Sequence, residues 1–278
     1  MAAQKVAAPT TNGSPSSAPH ERAAEAVPRG RYVYCIVETD EGLELGPLGI
    51  GEDESPVYTI HHGGLAAVVS ETPLRRYDPT RENLLAHERV NETVMREHTV
   101  IPMAFGTLLP GEADVAALLR GAASVLTEAL GAVRGRIELG LNVVWDRDEV
   151  LCELEASQEV IRRLKEEIAN EGRGSTYFPR MQLGQLVDEA LAARAKELTR
   201  GVYESLRPLS VASRPGKLVG DNMILNVAFL VERGREDEFN ETVERLTARY
   251  EELLSFKYTG PWPPYSFVKL HLELKETD

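Results

Sequence analysis

The chain has 278 residues, enough for two modest domains, and its 42% hydrophobic content with a mean hydropathy of -0.26 can fill a core in each. A formal net charge of -13, from 31 Lys and Arg against 44 Asp and Glu, sets most of the exterior against a nucleic-acid backbone or an anionic lipid surface. Neither nucleic acid nor membrane is an expected partner, and no apolar run reaches the roughly 18 to 20 residues of a membrane-spanning helix.

Residues 1–30 are rich in Ala, Pro, Ser and Thr and poor in large apolar side chains, so they are expected to form a disordered tail. Lys5, Arg22 and Arg29 against Glu21 and Glu25 give that tail +1, which leaves -14 on the remainder. Nothing near the N-terminus resembles the apolar stretch of a secretory signal. The two cysteines, Cys35 and Cys152, lie far apart and outside any Cys/His cluster, as in a reducing compartment. A cytoplasmic protein without metal or other cofactor is the expectation.

Order is predicted to begin at residues 31–37, a β-branched and aromatic run suited to a central strand. Residues 57–60 and 65–70 read as a hairpin turning through His61-His62-Gly63-Gly64, where the glycines supply positive φ. Asp78 and Pro79 look like a helix start, with the helix running to about His98. Residues 100–109 read as extended. A second helix over residues 112–133 is amphipathic through Val115, Leu118, Leu119, Leu126 and Leu130.

The second half reads as a strand over 136–145, a helical hairpin, strands near 209–212 and 223–232, a helix over 236–254, and strands around 255–259 and 267–274. Leu154, Ser157, Ile161, Leu164 and Ile168 give the hairpin's first arm a coiled-coil seam, and residues 183–206 supply the second arm after a turn at 172–176. With the hairpin counted as one helical unit this is β-α-β-β-α-β, the ferredoxin-like order. The expected class is α+β in two domains. Residues 31–135 form an N-terminal domain with a small mixed sheet, and residues 136–278 form a ferredoxin-like domain.

Catalytic signatures are absent: no nucleophile elbow, phosphate loop, H-E-x-x-H or dinucleotide fingerprint occurs. His87, Asn91, Val94 and His98 fall near one helix face, but two histidines eleven residues apart stand about 16 Å apart along the axis, too far to share a metal. A satisfied polar face explains them better, and His61-His62 reads as part of a turn. Two segments are unusual. In residues 87–108 a polar-faced helix runs into a short apolar strand interrupted by Pro102, with Phe105 close behind. In residues 259–268, Pro261, Pro263 and Pro264 stiffen a chain that carries Trp262, Tyr265 and Phe267. Rigid aromatics anchor partners at little entropic cost, so Trp262, Tyr265, Phe267, Pro102 and Phe105 are the candidate partner-binding residues. The alternative for the rings is a latch folded over the chain's own sheet.

Four blocks in order, residues 32–37 (YVYCIV), 64–69 (GLAAVV), 87–107 with its VIPMAFGT core, and 259–268 (TGPWPPYSFV), resemble the gas-vesicle accessory family that includes the F and L proteins. The resemblance covers essentially everything after the tail. It implies a cytoplasmic, non-enzymatic protein of gas-vesicle formation that binds the small hydrophobic shell protein during assembly. It also implies retention as a minor vesicle component and leaves room for other accessory proteins as partners. The rival expectation is an enzyme or small-molecule-binding protein on a ferredoxin-like scaffold, a fold that hosts many activities.

Overall fold

Strands buried on both faces build the first half of the fold; the computed structural model describes residues 27–51, 55–170 and 177–268. The strands β1 (Arg29–Glu38), β2 (Glu44–Gly46), β3 (Val57–His62) and β4 (Leu65–Pro73) are followed by α1 (Arg81–Met95), β5 (Val100–Pro102) and β6 (Leu108–Leu109). The sheet order is β2-β3-β4-β1-β5, with β6 also paired to β1. β1 is central, as its unbroken apolar run predicts. All described pairs in this sheet are antiparallel, so the expected mixed sheet is corrected. The β3–β4 hairpin turns through Gly63 and Gly64 at φ 57° and 80°, values that suit a two-residue turn matched to strand twist.

A register shift between Val33 and Cys35 places the adjacent Tyr34 and Cys35 on the same side of the sheet, while Val33 and Ile36 face the other. That other side is covered by α2 (Glu112–Gly121) and α3 (Ala123–Val133), which bury Val115, Leu119, Leu126 and Leu130. The predicted single helix is therefore two, bent by 73° where Ala122 leaves helical geometry at φ -104°, ψ 7°. Gly121, a weak helix former, precedes the break. No single helix among the described residues is long and apolar enough to cross a membrane.

α1 begins later than its Asp78-Pro79 signal. Thr80 is the N-cap, its hydroxyl accepting from the Asn83 backbone N–H at 3.3 Å, while the Asp78 carbonyl accepts from the Asn83 side chain at 2.9 Å. Asp78 thus supports the cap through its backbone rather than forming it. Thr80→Ala is expected to cost about 1 kcal/mol, measured as a fall in the denaturant midpoint with unchanged slope.

The second half comprises β7 (Arg136–Trp145), α4 (Arg147–Ser157), α5 (Glu159–Asn170), α6 (Tyr177–Leu206), β8 (Ala212–Pro215), β9 (Met223–Glu232), α7 (Glu236–Arg249) and β10 (Leu254–Trp262). Its sheet order, β10-β7-β9-β8, is antiparallel throughout. With the helices counted as two units, this is the ferredoxin-like arrangement read from the sequence. The odd-numbered residues of β7 and β9, including Ile137, Leu139, Val227 and Phe229, bury against the helices.

The first hairpin arm is not continuous. Gln158 adopts φ -106°, ψ 103°, and the Ser157 hydroxyl bonds back to the Leu154 carbonyl, dividing the seam between α4 and α5. β8 lies three residues beyond its predicted position, because residues 207–209 form a 3-10 turn with Pro208 near its start. The predicted turn at 172–176 and most of the strand at 267–274 lie outside the described residues, as do residues 1–26 of the tail. Buried residues of both sheets, from Tyr32 and Tyr34 to Phe229 and Val231, belong to one contiguous cluster with Phe239 of α7.

Candidate partner-binding surface

α1 presents His87, Val90, Asn91 and Val94 inward on one helical stripe, the i, i+3, i+4, i+7 spacing of a buried face. Two of these four are polar, so the face must be met by polar groups. The Tyr32 hydroxyl lies 3.1 Å from His87 Nδ1 and accepts the Gly106 backbone N–H at 2.9 Å, which leaves Tyr32 to donate to the imidazole. The Phe105 ring stands 5.9 Å from the His87 ring and 6.3 Å from that of Tyr32. His87 is 1% exposed, and burial lowers its pKa to about 4 against a smaller opposing effect of the Met103 backbone.

One turn further along, the Asn91 side-chain amide donates to the His87 carbonyl at 3.1 Å and to the Tyr265 hydroxyl at 3.2 Å. Burial and the neighbouring Glu88 carboxylate raise the Tyr265 hydroxyl far above its usual range. Burial likewise raises Glu88, with the Tyr265 hydroxyl pulling the other way and Glu92 adding to the rise. His87 Nε2, Glu88 Oε2 and Asn91 Oδ1 have no hydrogen-bond partner among the described residues. Sequence reading expected a satisfied polar face here. The side chains are instead partly or wholly buried among Tyr32, Phe105 and Tyr265 and held by few bonds.

That segment leaves β10 through the buried Pro263 and Pro264. Ser266 fixes it to the second sheet by donating its backbone N–H at 2.7 Å and its hydroxyl at 2.6 Å to the Glu138 carboxylate. Burial raises the Glu138 carboxyl, and these two bonds oppose the rise. The Arg214 guanidinium sits over the Phe267 ring at 5.6 Å, and Val268 packs against the first sheet's helix-covered face. The segment therefore spans both sheets.

The structure separates the five candidate residues. Phe105 and Tyr265 flank α1, Pro102 is buried in β5 opposite Cys35, and Trp262 and Phe267 lie on the open face of the second sheet. Trp262 is partly exposed and lines a cleft of about 470 Å³ with Glu138, Asn142, Arg214 and Asn226. A second cleft, about 590 Å³, lies between α1 and the loop after β2, beside Arg75, Tyr77 and Arg89. No group of three or more His, Cys, Asp and Glu side chains able to hold a metal occurs among the described residues. His61 bonds the Thr59 hydroxyl on its own strand and the Thr39 carbonyl just after β1.

Two antiparallel sheets, their helices and an aromatic segment that bridges them define an α+β protein. The sequence profile of the gas vesicle synthesis protein GvpL/GvpF family matches residues 30–269, and the chain belongs to that family. It is 33% identical over 239 residues to gas vesicle protein F of a Streptomyces species, covering 86% of this chain and 99% of the relative. It is 30% identical over 244 residues to gas vesicle protein F1 of Halobacterium salinarum, covering 87% and 93%. The crystal structure of GvpF from Anabaena sp. PCC7120 superimposes with a TM-score of 0.75 at 25% identity, covering 87% of this chain and 98% of that one. The role of this protein is gas-vesicle-related.

Proposed function

We propose that this protein is an assembly accessory that binds the small hydrophobic gas-vesicle shell protein, covers its apolar surface before polymerisation and assists nucleation or assembly. It acts in the cytoplasm and is retained as a minor component of the vesicle. Other accessory proteins are its further partners. The observation that carries this reading is the bridging segment: Trp262 stands partly exposed at a cleft, with β10 paired to β7 before it and the buried Pro263 and Pro264, Tyr265 and Ser266 fixing the backbone after it. An aromatic already held in place loses little entropy on binding. Trp262 and Phe267 supply the contact, whereas Tyr265, Phe105 and Pro102 hold the segment and the strand beneath it.

A shell subunit with exposed apolar surface needs a soluble partner, and a chain of net charge -13 resists self-association. Pull-down of the purified shell protein under reducing, low-detergent conditions tests the reading, and no capture would end it. Trp262→Ala is expected to weaken binding by about tenfold or more with the circular dichroism spectrum unchanged.

A further inference from the structure

The cleft beside Trp262 is ringed by polar side chains, and the more apolar recess lies on the other side of the same sheet. There α6 and the start of β9 form the walls of an open groove of about 630 Å³. Leu191, Ala192 and Ala195 line it from α6, Met223 and Ile224 from β9, and Trp145 from the end of β7. The loop between β8 and β9 forms its rim, where Leu218 and Val219 are 50% and 68% exposed. Apolar residues raised to a rim are what a partner's apolar side chains can cover.

Two further observations bear on what occupies it. Trp145 is 7% exposed, and its indole N–H is buried without a hydrogen-bond partner among the described residues. A buried donor left unpaired costs about 1–3 kcal/mol. Lys196 and Arg200 also line the groove, and neither side chain makes a hydrogen bond or ion pair among the described residues. On the acidic side, Asp188 is paired with Arg147 at 3.5 Å, which leaves Asp221 as the one opposing carboxylate without an ion pair. Two unpaired cations beside an apolar trough, on a chain of net charge -13, are complementary to an apolar segment that carries an acidic residue.

We infer that the Trp145 groove is a second contact, distinct from Trp262, that seats an apolar polypeptide segment of the shell subunit flanked by a carboxylate. The aliphatic side chains lie against Leu191, Ala195 and Ile224. The acidic flank meets Lys196 and Arg200. The inference rests on the proposed handling of the shell protein, and the experiment separates the two.

Binding of purified shell protein to the full chain is measured for wild type, Ala192→Glu/Leu218→Glu, Lys196→Glu/Arg200→Glu and Phe178→Ser, with circular dichroism of each. All these positions are exposed, so the fold should hold. Phe178 stands 72% exposed near the far end of α6, next to Tyr177, and represents the competing apolar patch. The expected result is at least about tenfold weaker binding for the groove pair, severalfold weaker and less salt-sensitive binding for the charge-reversed pair, and wild-type binding for Phe178→Ser. Wild-type affinity in both groove variants would overturn the groove assignment while leaving the proposed function standing. Loss confined to Phe178→Ser would overturn it and move the contact to the hairpin end. Absence of binding by the wild-type chain would overturn both.

Discussion

Replacing Phe239 with alanine is expected to cost about 3 to 5 kcal/mol, the range for removing a fully buried phenylalanine without collapse of the space it leaves. Phe239 is 0% exposed on α7, with the Phe229 ring 5.3 Å and the Tyr258 ring 6.1 Å away. It sits where α7 meets the centre of the second sheet. Both tryptophans, Trp145 and Trp262, belong to that sheet, so fluorescence reports the second half of the chain while far-ultraviolet circular dichroism reports both halves. Guanidinium unfolding followed by the two signals therefore asks a further question.

The expectation is that both midpoints fall together. The buried cluster runs unbroken between the sheets, Asn91 bonds Tyr265 across them, and the Arg233 guanidinium donates to the Met95 carbonyl at 2.5 Å. Units joined in this way share a transition. If fluorescence shifted while the dichroism kept a stable plateau, residues 31–135 would be an independently folding domain. Coincident shifts would make the division near residue 135 one of topology and not of stability.

Much of the architecture was legible from periodicity, and the exceptions have local causes. The alternation in β7 and β9 and the apolar stripe of α7 identify their elements because each buries one face only. The bends at Ala122 and Gln158 were not legible, since the apolar spacing continues across both and only backbone geometry interrupts it. The buried face of α1 was half visible: Val94 marks the stripe, but His87 and Asn91 on it, beside Glu88 and Glu92, imitate a solvated surface. What decides otherwise is Tyr32 and Tyr265, 55 and 174 residues away from their partners His87 and Asn91. The Trp145 groove has no sequence signature at all. It exists because a loop some 75 residues later folds against α6, placing Leu218 opposite a helix with which it shares no pattern.

The same buried histidine gives the second large expectation, an acid-sensitive fold. A histidine whose pKa falls from 6.5 in the unfolded chain to about 4 in the folded one takes up its proton more readily when unfolded. Its contribution to stability is complete above pH 6.5 and is lost progressively as pH falls toward 4. Over that window the loss approaches about 3 kcal/mol, from 1.36 kcal/mol per pKa unit. Glu88 has the opposite sign: its raised pKa favours the folded state at low pH and removes that advantage as pH rises through the folded value. The net loss on acidification is therefore smaller than the histidine alone predicts. Denaturant unfolding at intervals from pH 7.5 to 4 should show a falling free energy in wild type and a flatter profile in His87→Gln. Glu88→Gln should instead steepen the fall, since it removes the compensating group. If His87→Gln and wild type gave parallel profiles, the imidazole would keep its ordinary pKa in the folded state, and burial on α1 would not be what holds it neutral.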